Sequence, residues 1–182
     1  MRRLAVVVLV VFFGLGLAAC GGSSTSASLP AGQGTIVRVV DGDTVVVHIG
    51  GVDEDVRLIG IDTPETKKPD HPVECYGLEA SHRAAELLAP GTVVRLERDA
   101  EARDRYDRLL AYLYRVSDGM FIEDQMLREG LAGTLAIAPN TAHEADLSSA
   151  AAAARLAGTG LWTACGGNHV VPGAVGSPPS TR

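Results

Sequence analysis

Two runs of β-branched residues separated by a tight turn place the strongest constraint on the fold of this 182-residue chain. The runs are residues 35–40 and 44–49, and the Asp-Gly-Asp sequence at 41–43 is typical of turns. A Gly-Gly pair at 50–51 marks a second turn, which precedes a third strand predicted over residues 55–61. The first half of the chain is therefore predicted to be rich in strands.

The second half adds further strands and introduces helices. Two strands are predicted over residues 92–97 and 109–115, and three helices over residues 78–89, 121–132 and 142–157. Five short strands with helices inserted late predict an α+β, mainly β fold, compatible with a five-stranded OB-fold barrel with three flanking α-helices. With 46% hydrophobic residues, one such domain over residues 34–165 has enough apolar side chains for a core.

The first residues have the pattern of a targeting segment. Arg2 and Arg3 precede an apolar run of 16 residues, which is short for a bilayer span of about 20 residues. The run ends in Leu-Ala-Ala-Cys, which resembles the lipobox of bacterial lipoproteins, in which the cysteine, here Cys20, is lipidated. Residues 1–19 are therefore predicted to be a lipoprotein signal peptide, and 20–33 a flexible tether that holds an extracytoplasmic domain at the membrane. Ordinary cleavage near Ala19, with release of a secreted protein, is the alternative.

Removal of the predicted leader changes the charge of the remaining chain. Loss of Arg2 and Arg3 with the leader changes the formal net charge from −6 to −8, which argues against a protein that coats nucleic acid broadly. Residues 166–182 contain glycine and proline without periodicity, and this predicts a disordered tail. With Cys20 assigned to lipid, Cys75 and Cys165 remain as an isolated pair. In an oxidising compartment such a pair predicts a disulfide, with two free thiols as the alternative.

One arginine lies where a buried strand is expected. Both faces of the predicted strand over residues 55–61 are apolar, and Arg57 lies within it. A buried guanidinium is costly unless a carboxylate or a phosphate meets it, so Arg57 indicates either a structural ion pair or a phosphate site.

Oxygen-bearing residues follow this strand. Asp62, the carbonyl of Thr63 held rigidly before a proline, and Asp43 from the first turn would form an oxygen-only site suited to a hard cation such as Ca²⁺. Cysteine and histidine do not occur nearby at zinc spacing, and the later ligands of an EF-hand loop are missing. Together with Glu65 and a second arginine, Arg108, at the start of another strand, these residues have the composition of a site for phosphodiester hydrolysis.

Several motifs occur in the order seen in one enzyme family. The segments VVDGDTVVV, VRLIGIDTPE, YGLEAS, DRYDRLLAYLY, MLREGLA and HEADL resemble those of the staphylococcal nuclease (thermonuclease) family over roughly residues 35–162. The resemblance implies an OB-fold barrel with three helices and Ca²⁺-dependent cleavage of DNA and RNA to 3'-phosphate products. It implies roles for eight residues: Asp43, Asp62 and Thr63 as metal ligands, Arg57, Glu65 and Arg108 as catalytic residues, and Arg105 and Tyr106 as substrate contacts.

The sequence departs from the family pattern around the substrate site. Ala136 and Ala138 stand at the positions of two family tyrosines, Asp107 replaces a small residue, and the loop over residues 67–74 is less basic. Base stacking contributes about 1–3 kcal/mol per base, so weaker substrate binding is expected.

The sequence therefore predicts a monomeric, lipid-anchored, Ca²⁺-dependent nuclease acting on single-stranded or denatured DNA and RNA. The alternative is a noncatalytic module that binds nucleic acid or calcium at the cell envelope, although noncatalytic relatives typically lose the Arg and Glu residues present here. A purely structural lipoprotein would leave Arg57 unexplained.

Overall fold

The computed structural model describes residues 29–172. The predicted leader, the predicted lipidation site Cys20 and most of the predicted tether lie outside the described residues, as do residues 173–182. Within the described part of the chain, no helix is long and apolar enough to cross a bilayer.

Seven strands and four helices form the domain. The strands are β1 (Gln33–Val39), β2 (Thr44–Ile49), β3 (Val52–Leu58), β4 (Gly60–Asp62), β5 (Val93–Glu97), β6 (Leu109–Arg115) and β7 (Gly133–Leu135). The helices are α1 (Gly77–Leu87), α2 (Ile122–Arg128), α3 (Glu144–Ala157) and α4 (Leu161–Ala164).

Five of the strands close into a barrel, which confirms the predicted five-stranded OB-fold architecture. The strand order is β1-β2-β3-β6-β5. Only the β3–β6 contact is parallel among these pairs, with Val56 opposite Leu109, and the other pairs are antiparallel. Closure removes free sheet edges and turns the alternating apolar side chains inward, where Val47, Val56 and Val94 are fully buried.

The third predicted strand is interrupted, and this interruption positions the site. A single strand over residues 55–61 was expected, but β3 ends at Leu58 and β4 begins at Gly60, which has a φ of +85°. A Cβ at this position would collide with the Leu147 side chain of α3, so the turn favours glycine in both conformation and space. Strand β4 leaves the barrel and pairs instead with β7.

The helix bounds lie within two residues of the prediction except at the end of α2 and after α3. Helix α2 was expected to reach residue 132, but it ends at Arg128, and residues 133–135 are extended as β7 because they pair with β4. Helix α3 ends at Gly158 in a left-handed conformation, as its sequence indicates. The four-residue helix α4 is too short to give a periodic pattern and was not predicted.

A disulfide joins the two ends of the helical part. Cys75, just before α1, is bonded to Cys165, just after α4, with 5.9 Å between their Cα atoms. Residues 166–172, which the sequence assigns to a disordered tail, lie against the domain, where the Cys75 N–H donates to the Val170 carbonyl at 2.7 Å. The disulfide fixes the start of this segment, and this hydrogen bond holds its far end. The aperiodic composition of the segment gives no indication of such long-range contacts.

Candidate active site

A polar cleft of about 310 Å³ opens at one end of the barrel, where the turn before β2, the exit of β4 and the loop before α1 meet. The predicted metal ligands and catalytic residues all line it: Asp43, Asp62, Thr63, Arg57, Glu65 and Arg108. The fold therefore brings together side chains that are up to 65 positions apart in the sequence, from Asp43 to Arg108.

Arg57 lies at the floor of the cleft, and its side chain is only 12% exposed. Its guanidinium meets both predicted metal-ligand carboxylates, with Nε 3.3 Å from Asp43 Oδ1 and Nη2 2.9 Å from Asp62 Oδ1. Its Nη1 donates to the carbonyls of Leu58 and Ile61 at 2.6 and 2.9 Å. The carboxylate partners predicted for a buried guanidinium are thus present, and the same group borders the cleft.

Asp43 is held both by the neighbouring turn and by the start of β2, where the Thr44 hydroxyl donates to its Oδ1 at 3.2 Å. Its Oδ2 accepts hydrogen bonds from the Thr63 N–H at 2.8 Å and from Thr63 Oγ1 at 2.9 Å. The two segments approach so closely that a Cβ at Gly42 would lie 2.6 Å from Thr63 Cγ2. Glycine at this position of the turn therefore permits the contact between Asp43 and Thr63.

The carboxylates in the cleft carry more negative charge than Arg57 balances. Burial raises the pKa of Asp62 above its usual range, and the charge of Asp43 acts in the same direction. Burial likewise raises the pKa of Asp41, again with a contribution from Asp43. Several carboxylates gathered in one cleft favour a bound cation.

The available donor atoms are consistent with a hard cation. Asp43, Asp62 and Thr63 supply oxygen only, which suits Ca²⁺ better than Zn²⁺. Among residues 29–172, no group of three His, Cys, Asp or Glu side chains is arranged to hold a metal by itself. A cation here would therefore need the Thr63 carbonyl and water in addition to the two carboxylates.

Glu65 is bound by the backbone of the turn that follows it. Its Oε1 accepts the N–H groups of Thr66 and Lys67 at 2.8 Å and of Lys68 at 3.1 Å. Partial burial alone would raise the pKa of Glu65, but these bonds outweigh burial and hold the pKa below its usual value. The side chain is therefore ionised at neutral pH, as a base requires.

Arg108 enters the cleft from another direction and has a single carboxylate partner. Its Nε and Nη2 lie 2.7 and 2.6 Å from Asp104 Oδ2, and its side chain is 30% exposed. Asp104 Oδ1 accepts the backbone N–H groups of Tyr106 and Arg108, which shapes the turn before β6. This turn places Arg108 in the same cleft as Arg57.

The two predicted substrate contacts lie outside this cleft, in a second groove of about 530 Å³ that shares Arg57 and Arg108 with it. Arg105 Nη2 donates to the Tyr106 hydroxyl at 2.6 Å, and the Tyr106 ring is 64% exposed. Leu135 and Ile137 form apolar parts of the groove wall. The groove thus combines the exposed Tyr106 ring, an apolar wall and the Arg105 guanidinium.

Sequence reasoning missed a second set of polar residues around the cleft. His169 Nε2 lies 2.8 Å from Asp62 Oδ2, and its Nδ1 lies 2.7 Å from Glu74 Oε2. Partial burial alone would lower the pKa of His169, but the bonds to Glu74 and Asp62 outweigh it and raise the pKa. One sequence signal could have indicated the contact between Glu74 and His169. Glu74 directly precedes Cys75 and His169 follows Cys165 by four residues, so the predicted disulfide would bring Glu74 and His169 near each other.

Comparisons with known proteins agree with this architecture. The staphylococcal nuclease homologue family model matches residues 55–164. The chain is 39% identical over 128 residues to a thermonuclease of Staphylococcus hyicus, covering 70% of this chain and 74% of the relative. A thermonuclease of Staphylococcus intermedius is 41% identical over 127 residues, with the same coverage. Endonuclease YncB of Bacillus subtilis is 45% identical over 109 residues, which are 59% of this chain and 50% of that protein. The chain therefore belongs to the staphylococcal nuclease family.

Proposed function

We propose that this chain is a Ca²⁺-dependent nuclease that hydrolyses the phosphodiester bonds of DNA and RNA outside the cytoplasm and leaves 3'-phosphate products. The observation that carries the proposal is the convergence of Arg57, Glu65 and Arg108 on one cleft beside Asp43 and Asp62. The names of the relatives, thermonuclease and endonuclease, support the same class of reaction.

The ionised Glu65 carboxylate orients the attacking water and accepts its proton. Only Oε1 of Glu65 is used by the three backbone bonds of its turn, so Oε2 remains for the water. A carboxylate fixed by the backbone holds the water in one orientation, which lowers the entropic cost of the attack.

The two arginines bind the phosphate and stabilise the charge that develops on it. Arg108 uses Nε and Nη2 for Asp104, which leaves Nη1 for a phosphate oxygen or for the leaving 5'-oxygen. By analogy with oxyanion donors, each guanidinium would contribute about 3–4 kcal/mol to stabilising the transition state.

Asp43, Asp62 and the Thr63 carbonyl would hold Ca²⁺. When bound, the cation supplies Lewis-acid stabilisation of the phosphate oxygens. The chain itself contributes the ring of carboxylates, and Arg57 keeps Asp43 and Asp62 on the same side of the cleft through its two ion pairs.

The substrate contacts favour unpaired nucleic acid. The exposed Tyr106 ring and the Arg105 guanidinium, whose carbon lies over the ring 4.7 Å from its centroid, together offer a stacking surface. The acidic surface discourages broad contact with a duplex. Ala136 and Ala138 add no stacking surface, so binding is expected to be weak.

The proposed location is the outer side of a membrane, with Cys20 as a lipid anchor and the domain as a monomer. The Cys75–Cys165 disulfide supports an oxidising compartment. Release as a secreted protein after cleavage near Ala19 is the alternative, and the mass of the mature N-terminus separates the two.

The test is digestion of heat-denatured DNA and of RNA by the purified chain, with Ca²⁺ or with a chelator. Cleavage is expected with Ca²⁺ only, and Glu65→Ala is expected to reduce kcat by about 10²–10⁴-fold. His48→Ala is the matched control, because His48 pairs with Asp53 at an exposed site outside the cleft and should retain full activity. Ca²⁺-dependent binding without cleavage by the wild type would instead support a noncatalytic binding module.

A further inference from the structure

The segment after the disulfide lies across one wall of the cleft. Cys165 is bonded to Cys75, and the Cys75 N–H returns a hydrogen bond to the Val170 carbonyl, so both ends of residues 165–170 are fixed to the same point. The segment begins just beyond the region that the family model matches, which ends at residue 164.

Two consecutive side chains of this segment bind Asp62. The Asn168 Nδ2 donates to the Asp62 backbone carbonyl at 3.0 Å, and His169 Nε2 lies 2.8 Å from the Asp62 carboxylate. Since Asp62 Oδ1 is held by Arg57, the His169 bond to Oδ2 fixes the second oxygen and therefore the plane of the carboxylate.

The other nitrogen of His169 reaches the turn that holds Glu65. His169 Nδ1 lies 2.7 Å from Glu74 Oε2, and the same oxygen accepts the Glu65 N–H at 2.8 Å. The Glu74 N–H in turn donates to the Glu65 carbonyl at 2.9 Å. One imidazole thus connects a predicted metal ligand with the backbone of the predicted base.

The position of His169 is not explained by core packing. Its side chain is 45% exposed, and both ring nitrogens are bonded to carboxylates of the cleft. A residue that only closed the core would be buried among apolar side chains, as Leu161 is.

We propose that His169 is a positioning residue that fixes Asp62 for cation binding and Glu65 for catalysis. The Cys75–Cys165 disulfide holds His169 in place. This inference rests on the proposed nuclease function. Groups that orient metal ligands typically change metal affinity or activity by about 10–100-fold when they are removed.

The first experiment measures Ca²⁺ affinity without substrate, by titration calorimetry of the full chain. His169→Ala is expected to raise the Ca²⁺ dissociation constant about 10-fold, and His169→Gln to recover part of the loss because the amide restores one hydrogen bond. His48→Ala removes an exposed histidine with a carboxylate partner outside the cleft, and it should match the wild type.

The second experiment separates positioning from general stability. His169→Ala should lower kcat at saturating Ca²⁺ and leave KM for denatured DNA nearly unchanged, with a Tm in chelator close to that of the wild type. Equal Ca²⁺ affinity and equal kcat in His169→Ala and wild type would overturn the inference. So would a drop in Tm of His169→Ala and His169→Gln alike without a change in Ca²⁺ affinity.

The third experiment tests the role of the disulfide. The double variant Cys75→Ser/Cys165→Ser should lose Ca²⁺ affinity to a similar degree as His169→Ala, and combining all three changes should cost little more. Additive losses would contradict the link between the disulfide and His169. A wild type that binds Ca²⁺ but cleaves nothing would sink the nuclease proposal, while the calorimetric comparison would still decide the part of His169 in cation binding.

Discussion

The two arginines of the cleft are bound in very different ways. Arg57 is 12% exposed and joins two carboxylates to two backbone carbonyls of the barrel exit. Arg108 is 30% exposed and meets one carboxylate, Asp104, in its own turn. Similar chemistry is proposed for Arg57, which is built into the fold, and for Arg108, which is attached at its surface. Their mutations should therefore separate stability from activity.

The largest effect is expected for Arg57→Ala. Removing one partner of a buried ion pair costs about 3–5 kcal/mol, because Asp43 and Asp62 are left without their cation. Activity should also fall by about 10²–10³-fold. Urea unfolding and steady-state kinetics on denatured DNA measure the two losses, and unchanged stability would show that Arg57 is not part of the framework.

Arg108→Ala should lower activity without a comparable loss of stability. Its kcat is expected to fall by about 10²–10³-fold, while the free energy of unfolding changes by only about 0–1 kcal/mol, because a partly exposed pair within one turn contributes little. The same two measurements apply. A stability loss as large as that of Arg57→Ala would remove the distinction drawn between the two arginines.

Glu65 offers a third case, a charge held mainly by backbone N–H groups. Because these bonds hold its folded pKa below the usual 4.5, ionised Glu65 stabilises the fold above about pH 4.5, and this stabilisation is lost as the pH falls through the folded pKa. Wild type should therefore be more stable than Glu65→Gln at pH 6, and the gap should narrow toward pH 3. Unfolding curves across this range test the sign, and a gap that widens in acid would contradict it.

The smallest effect is expected for Arg103→Ala. Arg103 forms a two-bond pair with Glu54 on the outside of the barrel and donates to the Asp107 carbonyl at 2.6 Å, and it does not line the cleft. Activity should be unchanged within error, and this variant is the control for the loss of one positive charge near Arg108. A drop in kcat like that of Arg108→Ala would show that net charge, rather than position, controls the rate.

The sequence was informative where a residue conflicted with its local pattern. Arg57 in an apolar strand indicated chemistry, and the structure places its Nε 3.3 Å from Oδ1 of Asp43, a residue whose place in a turn is ordinary. The barrel followed from runs of β-branched residues with turn signals between them. Such features can be predicted from the sequence because residues close together in the chain determine strands and turns.

Contacts between distant parts of the chain could not be predicted in the same way. His169 and Asp62 are 107 positions apart, and neither lies in a pattern that points to the other. At the split between β3 and β4, Gly60 lies so close to Leu147 of α3 that a Cβ would collide with it, and this contact is also long-range. Composition described residues 166–172 as a tail, whereas a disulfide and a few hydrogen bonds decide their place.

The parallel contact between β3 and β6 also has a consequence for the order of folding. The hairpins of β1, β2 and β3 join near neighbours, but Val56 meets Leu109 only after more than fifty intervening residues have been placed. Contacts of such long sequence separation form slowly, so barrel closure is expected to follow the hairpins. An intermediate would then carry Asp43 and Arg57 on a finished hairpin while Arg108 is still remote, and hydrolytic capacity would arise only at the final closure.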